Sequence, residues 1–315
     1  METQVFVYVD LTGVPVLVGR LWARARKGRQ SATFEYDQDW LQSAEQFSLE
    51  PALMLGPGPF HTPSDKPLFG AIGDSAPDRW GRVLMRRAER RRAERAGETP
   101  RTLMEIDYLL MVDDDRQGAL HFALDDCRDA GGRATQDAKA EEGGPFLAEQ
   151  GITRIPPLIE LPRLLSAAER VVGDVDSDED LRLLLAPGSS LGGARPKASI
   201  QDRDGHLAIA KFPHKDDETN TVMWEAVALT LAEHAGIAVP QWRLEHVADK
   251  PVLLLRRFDR VDGIRIPFLS AMSMLGARDN EARSYLRYQP WRAKRRLVDP
   301  GRRRARAGIR CRVAA

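Results

Sequence analysis

The chain is poor in cysteine: Cys127 and Cys311 are the two among 315 residues. Two thiols so far apart in sequence offer no disulfide framework of the kind small secreted domains rely on. Long apolar runs are also missing, and none approaches the ~20 residues needed to span a bilayer. The start, METQVFVYVD, lacks a basic segment followed by an apolar one, so no secretory leader is expected. The six histidines (61, 121, 206, 214, 234 and 246) show neither HxxxH nor HExxH spacing, which argues against zinc hydrolysis and leaves no metal site to assign. SxxK is absent, so acyl transfer on a serine–lysine pair has no motif; GxGxxG is absent, so the usual dinucleotide turn is missing. A soluble, cytoplasmic protein without a membrane partner is the expectation.

The hydrophobic fraction, 43%, is ordinary for a globular chain, and the formal net charge is only +1. That balance hides a strong asymmetry. Residues 284–315 hold ten Arg, Lys294 and a single acid, Asp299, for a net +10, while the rest of the chain sums to −9. An acidic body ends in a basic tail.

VFVYVD, VPVLVGRLW and SATFEYD alternate as strands and predict a small antiparallel sheet. Residues 50–81 are rich in proline and glycine and read as loop. DRWGRVLMRRAERRRAERA (78–96) reads as a helix stopped by Gly97. Its Arg/Glu run suits a solvated face laced with i,i+4 pairs, with nucleic-acid contact as the alternative. MEIDYLLMV predicts a short helix and GALHFAL a strand. Residues 126–154 are polar and Gly-rich, as a linker is. Beyond them, LIELPRLLSAAERVV and DEDLRLLLA predict two helices, KASIQDRDGHLAIAKF a hairpin turning at Asp204-Gly205, TNTVMWEAVALTLAEHA an amphipathic helix, and PVLLLRRFDR a strand. Val222, Met223, Ala226, Val227, Thr230 and Leu231 are expected on one helix face.

PGSSLGGARPKA (187–198) has GxxxxG spacing at Gly188 and Gly193, but Ala194 and Arg195 stand where a P-loop needs Lys and Ser/Thr. A helix precedes the stretch and a strand follows it, the reverse of P-loop order. That order suits a protein-kinase N-lobe, in which a Gly-rich loop covers ATP, a strand Lys meets the phosphates and a helix Glu holds the Lys. Lys211 ends the apolar alternation of LAIAKF, and Glu225 lies mid-helix near the apolar face. The alternative is a snorkelling Lys211 and a rim charge at Glu225.

These segments resemble the HipA-type serine/threonine kinases, toxins of bacterial type II toxin–antitoxin pairs, over residues 4–283. In the first part the resemblance rests on GRLW, FEYDQDWL, FGAIGDSAPDRWGR and DYLLMVDDDRQGALHF. In the second it rests on SSLGGARPKA, AIAKFP, NTVMWEAVALTLAEHAGIAVP, LLLRRFDR and IPFLSAMSMLGARD. It implies an α+β fold: a β-rich N-terminal subdomain over 1–125, a linker over 126–154, and a kinase-like N-lobe over 155–283 with a Gly-rich loop, an antiparallel sheet and one helix, leading into an incomplete helical C-lobe. It implies ATP and Mg²⁺ as cofactors. Ser190 corresponds to the loop serine such kinases autophosphorylate. Gly192, Gly193 and Ala194 correspond to the turn over the phosphates, and Lys197 closes the motif. Lys211 corresponds to the ATP-anchoring lysine and Glu225 to the glutamate orienting it. Leu255 to Phe258, with Arg257 and Phe258 as contacts, correspond to the adenine hinge, although Arg256 stands where the family often has Glu. The implied partners are a HipB-like helix-turn-helix antitoxin and a protein substrate such as an aminoacyl-tRNA synthetase, with DNA reached indirectly or through the basic tail.

Phosphoryl transfer also requires a catalytic Asp and an Asp/Asn set for Mg²⁺. After residue 283 the acids reduce to Asp299, which no His or Asn accompanies, so no catalytic residue and no metal ligand is assigned. The expectation is a C-terminally truncated, inactive kinase whose residues 284–315 lie outside the family. A reading-frame shift near 284–290 would produce such a segment; a basic arm that binds nucleic acid or the acidic body is the rival reading. Phe268, Leu269, Met272 and Met274 are expected to be exposed for want of a C-lobe. A non-catalytic interaction protein that binds an antitoxin or nucleic acid is the second functional reading.

Overall fold

Alternating apolar residues build the two larger antiparallel sheets among the described residues, each in its own compact unit. The computed structural model describes residues 2–26, 28–112, 116–127, 146, 155–185, 193–261, 263–278 and 281–282. The linker expected over 126–154 and the tail from 284 fall almost wholly outside the described residues. One unit comprises residues 1–75, 118–138 and 263–315; the other comprises 76–117 and 139–262.

The first unit holds β1 (Glu2–Asp10), β2 (Pro15–Arg26), β3 (Arg29–Tyr36), β4 (Phe60–His61) and β5 (Leu120–Ala123), in the order β4-β3-β2-β1-β5. A register shift between Val7 and Tyr8 marks a bulge against β2. The core gathers Val7, Leu21, Phe34, Tyr36, Trp40, Leu53 and Ile72. The Tyr36 hydroxyl donates to the Leu53 carbonyl (2.6 Å) and accepts from the Leu49 amide (3.1 Å), which fastens the loop after α1 (Gln38–Gln42) to the sheet. Gly19 must be glycine for lack of space: an added Cβ would lie 2.2 Å from the Glu35 carbonyl oxygen. α2 (Gly70–Gly73) ends at Asp74, whose carboxylate accepts from the Ser270 amide (2.6 Å) and the Ser273 hydroxyl (2.9 Å). The apolar group expected to be exposed here is split. Met272 is open to solvent, Phe268 and Leu269 are half-buried, and Met274 is buried.

The second unit holds α3 (Arg79–Ala96), α4 (Glu105–Leu110), α5 (Leu161–Val172), α6 (Asp178–Leu184), β6 (Lys197–Gln201), β7 (Leu207–Lys211), α7 (Thr221–His234), β8 (Trp242–Val247) and β9 (Lys250–Arg256). Its sheet runs β6-β7-β9-β8. Period-2 alternation splits the strands between two faces. On one face Ala198, Ile200, Ala208, Ala210, Val252 and Leu254 pack with Leu164, Ala168, Val171, Leu181, Leu184, Trp80 and Leu84 into a single core. On the other, Val222 and Ala226 of α7 cover Leu253 and Leu255. Trp80 and Leu84 of α3 bury into the first of these cores, so α3 packs with this sheet.

Three local expectations change in three dimensions. The α3 arginines are spent less on their own helix than on the turn before α6. Arg91 reaches Asp176 (2.9 Å) and Asp178 (3.1 Å), and Arg87 pairs with Asp174 and Asp176. On α7, Met223, Val227 and Leu231 are 38%, 43% and 61% exposed, so the apolar face the sheet covers is narrower than the sequence suggests. β8 was not expected. It joins β9 through a turn in which Ala248 (φ 47°) and Asp249 (φ 63°) are both left-handed, a hairpin geometry normally signalled by Asn or Gly.

Candidate functional site

β6 and β7 pair so that Lys197 stands directly opposite Lys211. Both side chains leave the sheet on the face shared with Ser199 and Ile209, opposite the alanines and Ile200 that enter the core. Like charges directly across a strand pair repel, and each lysine is provided with its own carboxylate. Lys211 Nζ is ion-paired with Glu225 of α7, with both groups about one-third exposed (29% and 34%). Lys197 Nζ lies 2.8 Å from Asp78 Oδ2, with both groups buried (4% and 5% exposed).

The buried pair is supplied by the start of α3. Asp78 caps that helix by accepting from the Gly81 amide through Oδ1 (2.8 Å), leaving Oδ2 for Lys197. The Lys197 ammonium also donates to the Gly193 carbonyl (3.1 Å). The Trp80 amide donates to the same carbonyl (3.4 Å), and the Trp80 indole N–H donates to the Lys197 carbonyl (2.9 Å). Gly193 is at φ 97°, a left-handed conformation that favours glycine. Burial pushes the Lys197 ammonium below its ordinary value and the Asp78 carboxyl above its own; their mutual attraction opposes both shifts.

The residues singled out from the sequence fall into three groups. Ser190 and Gly192 lie outside the described residues. Gly193, Ala194, Lys197, Lys211 and Glu225 lie in one unit: Gly193 and Ala194 sit in an exposed turn leading into β6, and Lys211 and Glu225 touch. Arg257 and Phe258 follow β9. Arg257 differs from expectation in one respect. Its guanidinium is 1% exposed and forks onto Asp259 (Nε–Oδ1 2.9 Å, Nη2–Oδ2 2.7 Å), and it also donates to the Arg116 carbonyl (3.1 Å). A guanidinium so committed is a structural ion pair, and its side chain does not reach outward to a nucleotide. The backbone amide of Arg257 is used as well, donating to Leu207 (2.9 Å).

Asp78 and Trp80 went unrecognised as site residues in the sequence. Asp78 carried a usable signal, an Asp directly before a helix-periodic run, but that signal reports only a cap. Its second bond crosses 119 positions of sequence. As a chemical arrangement the cluster is charge-balanced, two lysines with two carboxylates, in which Lys211 has a partner it can exchange, next to a glycine turn clamped from behind. It suits an anion such as a phosphate. Among the described residues no group of three or more His, Cys, Asp or Glu is placed to hold a metal ion. Among the described residues no helix is long and apolar enough to cross a membrane.

Comparison with known proteins places both halves of the chain in one family. No curated protein matches it. A chain of the Shewanella oneidensis MR-1 complex of the toxin–antitoxin proteins HipA and HipB with operator DNA is similar at 19% identity and a TM-score of 0.48, with 86% of this chain and 56% of that chain covered. The chain thus spans little more than half the length of that relative. The HipA N-terminal domain model matches residues 10–123. The HipA-like C-terminal domain model matches residues 189–306, which takes in most of the Arg-rich segment that the sequence reading set outside the family. With these two matched segments following one another in order, the chain belongs to the HipA family.

Proposed function

We propose that this chain is the nucleotide-binding part of a HipA-type toxin, a protein serine/threonine kinase held in check by a helix-turn-helix antitoxin of the HipB type. The observation that carries the reading is the Lys211–Glu225 ion pair on the face of β7, beside the turn at Gly193. This is the arrangement by which a kinase holds a strand lysine ready for nucleotide phosphates. Glu225 orients the ammonium, the turn at Gly193 and Ala194 lets the backbone approach a phosphate closely, and the backbone at Leu255–Phe258 borders the adenine. ATP is the ligand, and Mg²⁺, when bound, would neutralise charge on its phosphates. Ser190 is the candidate for self-phosphorylation, and an aminoacyl-tRNA synthetase is the class of protein substrate implied by family membership.

The 315-residue polypeptide tested alone is expected to bind nucleotide without transferring its phosphoryl group, because no catalytic Asp is assignable in it. Titration with a fluorescent ATP analogue should show saturable binding that Lys211→Ala weakens at least tenfold. Equal binding by the variant would refute the site. Incorporation of label from γ-labelled ATP at Ser190, lost in Lys211→Ala, would refute the inactivity. Co-purification with a helix-turn-helix protein encoded beside it tests the partner.

A further inference from the structure

We propose that Asp78 is a positioning residue for the phosphate-facing turn, and that Lys197 is its anchor rather than a ligand of the phosphate. The functional half of this inference rests on the nucleotide-binding reading above; the structural half does not.

Two lysines face one another across β6 and β7, and their partners differ in kind. The Lys211–Glu225 pair is partly solvated, so an arriving phosphate can take over the ammonium while water takes over part of the carboxylate. The Lys197–Asp78 pair is dry on both sides. Drawing Lys197 out to a phosphate would leave the Asp78 carboxylate buried without its counter-charge, and such separation is strongly unfavourable. Lys197 is occupied in a second way, since the same ammonium donates to the Gly193 carbonyl. Asp78 is likewise committed through both oxygens, one to the first turn of α3 and one to Lys197.

The rest of the α3 start acts in the same direction. Trp80 grips the turn at both ends, with its amide on the Gly193 carbonyl and its indole on the Lys197 carbonyl. The segment 193–197 is therefore held from behind by Asp78 and Trp80, while Lys211 is left as the lysine of the pair that can exchange its partner. Preorganisation of this kind lowers the ordering cost when a ligand binds. A segment that the sequence places with the N-terminal half sets the geometry of a turn in the C-terminal half.

Asp78→Asn, Lys197→Met and the double variant, made in the full 315-residue chain, separate the possibilities. Asparagine keeps an oxygen for the helix cap and loses the charge. As an anchor, each single variant lowers the melting temperature and weakens binding of a fluorescent ATP analogue about tenfold. The double variant regains more than half of both losses, because neither charge is left alone and no phosphate contact has been removed. If Lys197 is instead a phosphate ligand, Asp78→Asn binds as well as wild type or better, and the double variant binds as poorly as Lys197→Met; either result overturns the proposal. If the wild-type chain binds no nucleotide, the nucleotide reading fails, and the melting-temperature cycle still decides the anchor: additive losses overturn it. Should the charge variants not fold, Trp80→Phe removes only the indole bond to the Lys197 carbonyl. A several-fold weaker affinity is then expected, and an unchanged affinity overturns the proposal.

Discussion

Asp259→Asn tests the reassignment of Arg257 from ligand contact to structural ion pair. The Asp259 carboxylate is 1% exposed and serves two cations, Arg257 (2.7 Å) and Arg260 (2.7 Å), and both arginines also donate to the Arg116 carbonyl (3.1 and 2.8 Å). The asparagine amide matches the carboxylate in size but presents an N–H₂ group to one guanidinium and carries no charge. Removing one partner of a buried pair costs about 3–5 kcal/mol, because the remaining charge stays desolvated and uncompensated. Set against a typical total of roughly 5–15 kcal/mol, that is a large fraction. For a unit of this size, each kcal/mol shifts the melting temperature by about 2–4 °C, so a fall of about 6–20 °C is expected. The assay is urea and thermal unfolding followed by circular dichroism, without nucleotide. A variant within about 1 kcal/mol of wild type would refute the reasoning, because Asp259 would then not be the counter-charge that keeps Arg257 buried. Replacing both members with apolar residues, Arg257→Met with Asp259→Leu, should cost less than the single change, since the buried Arg257 charge leaves with its partner and only the more exposed Arg260 loses its carboxylate.

Two further perturbations probe features away from the site. Gly19→Ala would place its Cβ 2.2 Å from the Glu35 carbonyl oxygen and 2.7 Å from Phe34 Cζ, so β2 and β3 must separate locally. A loss of about 1–3 kcal/mol is expected, and an unchanged melting temperature would show that the two strands are not so closely apposed. Asp202 is held down to about 2 chiefly by the Arg243 guanidinium, 2.6 and 2.7 Å away. Its folded value lies below the unfolded value of about 3.9, so its contribution is present above pH 4 and lost as the pH falls towards 2. Arg243 is 40% exposed, and solvent screening reduces the contribution to about 1 kcal/mol. Asp202→Asn should therefore be less stable than wild type at pH 7, with the gap shrinking from pH 4 towards 2 and closing below pH 2; a difference that persists undiminished below pH 2 would exclude the ion pair as its source.

The β1–β3 meander, the Gly97 stop of α3, and the Asp204-Gly205 hairpin are local patterns, and each appears where its pattern lies. The Lys211–Glu225 contact spans only 14 positions and was legible as a strand lysine followed by a helix glutamate. β8 was hidden because its turn is made by Ala248 and Asp249, residues that give no turn signal of the Asn-Gly type. Arg257 was misread because its role depends on burial. An arginine in a fork with Asp259 and an arginine reaching for a ligand are the same letters in RRFDR.

By itself the sequence determined the periodicities, the caps and turns, and the order of loop, lysine and glutamate, since all of these arise from interactions within a few turns or between adjacent strands. The tertiary structure alone decided that α3 packs with the second sheet, that its arginines pair with the acids before α6, and that Asp78 meets Lys197 across 119 residues. The physical reason is desolvation. Whether a charge is a surface group, a ligand or an anchor depends on how much water is excluded around it, and that is set by residues far away in the chain.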